Sequence, residues 1–362
     1  MRRLIATLAG LTLGLSVVPA LAKDYLVTVT KPNKLYVVDA SARKVDKECT
    51  LDFNLIPGVI AMSPDGTIAY ILANRWGDVF GIDLESCETV FSAHQSSGDV
   101  RRKTVASLAI SKDGKEIYTI RNPVKLLADR YEIMEPEFAV YDATAGLNAE
   151  PVKTFPAPRR MTVMATGDNG MVYAAGHEIY QIDPKSGAFT VKIPNKSWDR
   201  PTYSGPDVLA FWPIGSQADE FLLLYSAAKF TDASQQELAD FVWGYESVDL
   251  STGASEIEDF ASFEVIMFSA ARNPQNKDEL FGVYTQLSKH DVATKELIKR
   301  VDLPHTYYVV NVSSDGKEVY VAGTNSDIGV YDSETLERIG EINLPSGGDM
   351  AAATLQVIQR GS

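Results

Sequence analysis

The sequence predicts an all-β fold made of one four-stranded unit repeated around a ring, and three observations carry that expectation. First, short turn tetrads recur between β-rich runs: Ser63-Pro64-Asp65-Gly66, Ser111-Lys112-Asp113-Gly114, Gly167-Asp168-Asn169-Gly170 and Ser313-Ser314-Asp315-Gly316. Their first residues are 48, 56 and 146 apart, and the last gap is close to three steps of about 49. Looser turns at Gly215 to Asp219 and Asn273 to Asp278 occupy the intervening steps. Gly with Asn or Asp suits a tight turn because such turns need positive φ. Second, the third strand of each unit ends in an aspartate that opens another turn: Asp39, Asp83, Asp142, Asp183, Asp249, Asp291 and Asp332. Third, helical periodicity is weak everywhere except Ser234 to Asp240. Antiparallel four-stranded units at a period of roughly 48 residues are the signature of a seven-bladed β-propeller.

Taken in order, Val59 to Met62, Ile68 to Leu72, Val79 to Asp83 and Thr89 to Ala93 form one unit. Val105 to Ile110, Glu116 to Ile120, Phe138 to Asp142 and Val152 to Phe155 form the next. The first unit opens with Tyr25 to Thr30, which behaves as a second strand, so its innermost strand is missing. After Leu344 the chain still holds a β-compatible stretch, Met350 to Ile358. That C-terminal strand is expected to complete the first blade and close the ring. Residues 23–362 form one propeller domain on this reading.

The ends and the charge narrow the function. Arg2 and Arg3, the apolar run Leu4 to Val18 and Ala20-Leu21-Ala22 read as a secretion signal over residues 1–22, cleaved near Ala22/Lys23. That run is too short for a spanning helix, so a periplasmic location with no membrane span is expected. Lys and Arg total 34 against 48 Asp and Glu; without Arg2 and Arg3 the balance is 32 against 48, a charge of −16. No basic block offers the footprint a nucleic-acid partner needs. The only cysteines, Cys49 and Cys87, lie in neither a haem motif nor a zinc spacing. Export permits a disulfide between them. Their offsets of ten and four residues from Asp39 and Asp83 place them at different heights in the outer strands of neighbouring blades. A bridge and two buried thiols both stay open.

One face of the ring is plain and the other is not. The turns joining first to second and third to fourth strands are short and generic. The opposite face carries the insertions Asn122 to Pro136 and Phe230 to Asp240, and the linkers Pro156 to Arg160, Trp198 to Pro206 and Pro304 to Tyr308. Long loops of this kind are usually functional. No Gly-x-Ser-x-Gly elbow, phosphate loop or dinucleotide fingerprint is present. The histidines, His94, His177, His290 and His305, lie on different blades without metal-ligand spacing, so no metal site is expected. The strand-end aspartates read as turn caps. Arg101-Arg102-Lys103 and Arg159-Arg160 read as solvated charge more readily than as an anion site. No catalytic set is self-contained in this chain.

Several segments outside the generic repeat carry a resemblance. They are Pro206-Asp207-Val208-Leu209 followed by Phe211-Trp212-Pro213, then His305-Thr306-Tyr307-Tyr308, and Leu344-Pro345 followed by Gly347-Gly348-Asp349-Met350. With Asn33 to Asp39, Gly77 to Asp83 and Cys87, they resemble the β subunit of bacterial quinohemoprotein amine dehydrogenase from Tyr25 to the C-terminus. The resemblance implies a periplasmic heterotrimer that oxidises primary amines to aldehydes and ammonia. In it an α subunit carries two c-type haems and a small γ subunit carries cysteine tryptophylquinone. This chain, binding no cofactor itself, would hold γ and wall part of the substrate cavity. Trp76, Tyr203, Asp207, Trp212, His305, Tyr307 and Tyr308 are the expected pocket or γ-subunit contacts. The competing expectation is a stand-alone exported propeller, either a calcium-dependent lactone or ester hydrolase or a surface binding protein.

Overall fold

The computed structural model describes residues 23–54, 59–209, 219–351 and 354–360. The signal segment, Trp212 and most of the Gly215 to Asp219 turn lie outside the described residues. Among the described residues there is no helix, and the strands form seven antiparallel sheets arranged as a seven-bladed β-propeller. Blade 1 orders Gln356–Arg360, Lys23–Thr30, Lys34–Asp39 and Lys44–Thr50 from the centre outward. Blade 2 follows with Val59–Met62, Ile68–Ala73, Asp78–Asp83 and Thr89–His94. Blades 3 to 7 repeat the pattern, the last ending in Asp327–Asp332 and Arg338–Asn343.

Ring closure is as the sequence predicts. Lys23 pairs with Arg360, Tyr25 with Ile358 and Val27 with Gln356, so the C-terminal strand is the innermost strand of blade 1. Buried polar bonds tie this closing segment to both neighbouring blades. The Gln356 amide donates to Ile60 O at 3.0 Å in blade 2, and the Asn311 amide of blade 7 donates to Leu355 O at 3.1 Å. Buried groups without such partners would cost about 1–3 kcal/mol each.

Local chemistry sets both kinds of turn on the plain face. In the tetrads, Ser63 Oγ donates to Asp65 and accepts the Ile68 N–H at 2.9 Å, and Ser111 and Ser313 repeat the arrangement. Gly66, Gly114, Gly170 and Gly316 follow at φ of +68° to +76°, a region that disfavours side chains. In the turns after the third strands, all seven aspartates accept N–H bonds from residues two or three further on. The residue four past each aspartate is left-handed: Arg43, Cys87, Gly146, Gly187, Gly253, Lys295 and Leu336.

That fifth turn residue also explains how the cysteines meet. The twist of the blades carries this turn onto the outermost strand of the preceding blade. Gly187 abuts Phe155, Gly146 O accepts the Ser92 N–H at 3.2 Å, and Lys295 reaches Glu258 at 3.2 Å. Cys87 occupies the same position against Cys49, and the two form a disulfide with Cα atoms 5.5 Å apart. The height difference counted along each blade therefore does not separate them, and Cys87 sits in the turn before the outer strand rather than in it.

Two other expectations are corrected. Asn122 to Pro136 is not an unstructured insertion, because the second strand of blade 3 runs on as Glu116–Leu126. Its outer half pairs with Val100–Lys103 on one side and Tyr131–Ile133 on the other. Likewise Phe230 to Asp240 is the tip of a long hairpin between Glu220–Phe230 and Leu238–Asp249. The helical pattern at Ser234 to Asp240 resolves into a turn and the start of that second strand.

The core lies between blades. Tyr70, Phe91, Ile117 and Tyr141 fill the boundary of blades 2 and 3, and Tyr118, Phe138, Met161 and Val172 that of blades 3 and 4. Each fully buried side chain of this size contributes about 1.5–3 kcal/mol.

Candidate functional site on the loop-bearing face

The elaborated face is built from strand extensions as much as loops, and their tips are apolar. Tyr131 and Ile133 on blade 3 are 76% and 71% exposed, Leu238 on the blade 5 hairpin 58%, and Ile266 in the following linker 52%. A face with several exposed apolar tips carried on rigid strands is suited to a partner.

On blade 5 the linker from blade 4 folds into an ionic cluster. Arg200 donates to both oxygens of Asp259, at 2.8 and 2.9 Å, and to the Tyr225 hydroxyl at 2.8 Å. Tyr203 and Tyr225 each donate a hydroxyl hydrogen to the same carboxylate. The guanidinium lies 3.7 Å from the Tyr203 ring centroid and 5.0 Å from that of Trp198, a stacked cation–π arrangement. Gly244 makes room, since a Cβ there would fall 2.0 Å from Tyr225 Cζ. Burial alone would raise the Asp259 carboxyl, but the hydrogen bonds from Arg200, Tyr203 and Tyr225 outweigh it and hold the group below the usual carboxylate range. Burial and the bond to Asp259 push the Tyr225 phenol up, which keeps it a neutral donor.

On blade 7 three expected residues come together. His305 Nε2 lies 3.0 Å from Asp327 Oδ1, and the Tyr307 hydroxyl donates to Asp327 Oδ2. His305 Nδ1 faces Thr306 O at 2.9 Å. Tyr307 is fully buried, its ring 4.1 Å from that of His305, so it supports the imidazole from beneath. Burial, then the bond to Asp327, push its phenol up. Tyr308 turns the other way and meets Phe268 and Tyr284 at centroid distances of 5.5 and 5.9 Å, while those two rings stand edge to face at 4.2 Å. All three are half-buried and make an aromatic patch of their own.

The remaining expected residues are dispersed. Trp76 sits in the blade 2 turn at φ +66° and packs against the blade 2–3 core, its carbonyl accepting the Thr104 N–H at 2.9 Å. Asp207 is exposed at the start of blade 5, and Trp212 lies outside the described residues. Arg200, Trp198, Tyr225, Asp259, Asp327, Phe268 and Tyr284 escaped the sequence reading. Trp198 and Arg200 fall within a linker already singled out, whereas Asp259 is 59 residues away and carries no local signal.

Among the described residues no group of three or more His, Cys, Asp or Glu could hold a metal ion. His290 is buried, its Nε2 3.0 Å from Ser288 Oγ, and burial pulls its ring down to about 4. Innermost strands of blades 1 to 4 line a largely apolar cavity of about 320 Å³ that includes Val59, Leu108, Val163 and Thr354.

No protein-family model and no curated protein sequence matches the chain. Among solved structures, it is similar to the dihydro-heme d1 dehydrogenase NirN in complex with DHE. That match has a TM-score of 0.56 and 14% identity, over 89% of this chain and 73% of that one. It is also similar to Kuenenia stuttgartiensis hydrazine synthase, with a TM-score of 0.54 and 14% identity over 84% and 90%. Apo AztD from Citrobacter koseri gives a TM-score of 0.54 and 10% identity over 94% and 100%. At these identities the likeness establishes the propeller fold alone. No helix among the described residues is long and apolar enough to cross a membrane.

Proposed function

We propose that this chain is the propeller subunit of a periplasmic quinohemoprotein amine dehydrogenase, the complex that converts primary amines to aldehydes and ammonia. The observation that carries the reading is the half-buried aromatic patch of Phe268, Tyr284 and Tyr308, the last of these in the His305 to Tyr308 linker. It lies on the face that also bears the apolar strand tips Tyr131, Ile133 and Leu238 and the His305 to Tyr308 segment of the resemblance.

The chain's contribution is positioning and exclusion of water. Blade ends form a rim rigid enough to hold a small subunit in a fixed orientation. Tyr308, Phe268 and Tyr284 would accept the alkyl or aryl part of the amine. Asp327 and Tyr307 orient His305. When bound, the quinone of γ supplies the two-electron oxidation and the haems of α carry the electrons away. Both cysteines are joined to each other, so neither offers a thiol for haem attachment.

The test is affinity purification of the chain, tagged after Ser362, from periplasm of its native host. The reading expects a haem-staining chain and a small quinone-staining chain in stoichiometric amounts, with amine-dependent dye reduction. A clean monomer without either band would overturn it.

A further inference from the structure

Blade 3 carries a three-stranded flap, and strand register sorts its side chains onto two faces. Val100–Lys103 and Tyr131–Ile133 flank the outer half of Glu116–Leu126. Arg101 stands opposite Val124, and Val124 opposite Ile133; Lys103 pairs with Asn122 and Leu126 with Tyr131. Residues directly opposite in a ladder, and those two apart along a strand, share a face. One face therefore holds Arg101, Lys103, Val124, Leu126, Tyr131 and Ile133, all exposed or half-buried. The other holds Arg121, Pro123 and Arg102 and is fixed to the blade. Arg102 Nη1 donates to Gln95 O at 3.3 Å, its Nε lies 3.5 Å from Glu137 Oε2, and Arg121 Nη2 donates to that same oxygen. The run Arg101-Arg102-Lys103 is thus divided: its middle cation anchors the flap and the outer two are exposed.

Among the described residues neither Arg101 nor Lys103 has an ion pair, whereas the acids around them do. Asp99 has Lys125 at 3.8 Å, Asp129 has Arg130 at 3.0 Å and Glu135 has Arg159 at 3.0 Å. Glu132 lies on the other face, opposite Lys125. An anchored face with two unmatched cations beside four apolar side chains is unusual in a chain with 34 Lys and Arg against 48 Asp and Glu. We propose that this face docks a partner polypeptide through a segment that sets Asp or Glu beside an apolar side chain. The carboxylates would meet Arg101 and Lys103, and the apolar group would cover Tyr131 and Ile133. The inference rests on the subunit reading above and gives one contact of that assembly its chemistry. Charge complementarity selects this occupant. A second copy of the chain would set the patch against itself and leave both pairs of cations without a carboxylate. An anionic bilayer would gain from only two cations while the net charge of the chain opposes its approach.

The experiment purifies the complex from periplasm of the native host through the tagged wild-type chain and three variants: Arg101→Glu with Lys103→Glu, Ile133→Ser, and Tyr131→Ser. Dissociation on dilution is followed by mass photometry at low salt and at about 0.3 M NaCl. Every substituted residue is exposed, and thermal melts of the free chains check that the fold is kept. The charge reversal should raise Kd by about tenfold or more at low salt, and added salt should weaken the wild-type contact but barely change the variant. Each serine variant should raise Kd by about fivefold at either salt. Tyr131→p-benzoylphenylalanine should crosslink to a partner peptide that holds Asp or Glu. A wild-type chain that emerges alone would overturn this inference and the subunit reading together. An intact complex whose Kd is unmoved by the charge reversal, or by both serine variants, would overturn the inference alone. So would crosslinking only to a second copy of the chain. Flotation with phosphatidylglycerol vesicles that the charge reversal abolishes, while its complex stays intact, would assign the face to a membrane instead.

Discussion

Replacing Cys49 and Cys87 together by Ala removes the covalent staple between blades 1 and 2. The pair closes a loop of 38 residues. Chain-entropy reasoning gives about 2.1 + 1.5R ln 38, or about 13 cal/mol/K, which is about 4 kcal/mol at 25 °C. Cys49 is buried among Leu35, Leu51 and other core residues, so alanine avoids burying a new hydroxyl and adds only a small loss of packing. The assay is equilibrium urea denaturation of oxidised wild type, reduced wild type and the double variant. The unfolding free energies of reduced wild type and of the variant should coincide, both about 4 kcal/mol below that of the oxidised protein, and reductant should leave the variant unmoved. If reduced protein and variant stay within 1 kcal/mol of the oxidised form, the bridge does not constrain the unfolded chain and the reasoning fails.

Arg200→Met should destabilise the chain by about 3 kcal/mol, because it leaves the Asp259 carboxylate buried without its cation. The double variant Arg200→Met, Asp259→Leu should recover much of that loss in the same denaturation assay. His290 has a folded pKa of about 4 against 6.5, so folded protein binds fewer protons than unfolded between those values. Its contribution is complete above pH 6.5 and disappears as pH falls toward 4, by about 3 kcal/mol. His290→Leu should flatten that limb of the stability profile, and an unchanged acid slope would contradict the assignment. In the assembled complex, Tyr308→Ala should raise KM for aromatic amines several-fold while γ remains bound. Tyr307→Ala should lower turnover or loosen γ by releasing His305, and unaltered assembly and kinetics would remove Tyr307 from the site.

Turn chemistry is local, which is why the blades were legible. Ser63, Asp65 and Gly66 make their bonds within five residues, and Asp83 caps a turn made of its immediate successors. Counting strands then exposed the missing inner strand of blade 1 and the spare one at the C-terminus. What depends on one blade meeting the next was not legible. The Cys49–Cys87 bridge follows from blade twist. The pairing of Val100–Lys103 with the outer half of Glu116–Leu126 joins a linker to a strand on the far side of a turn. Of the site, the linkers carrying Tyr203 and His305 stood out by composition. Their partners Asp259 and Asp327 did not, because a strand carboxylate becomes a hub only when a residue from a linker reaches it.

The claim underlying all of this is that the loop-bearing face docks another polypeptide. Hydrogen exchange of the chain alone and in the purified complex tests it most directly. The account predicts added protection in 122–136, 198–206, 230–240 and 303–308, and none in the turns following Asp39, Asp183 and Asp332. Protection confined to those plain-face turns, or spread evenly over both faces, would contradict it.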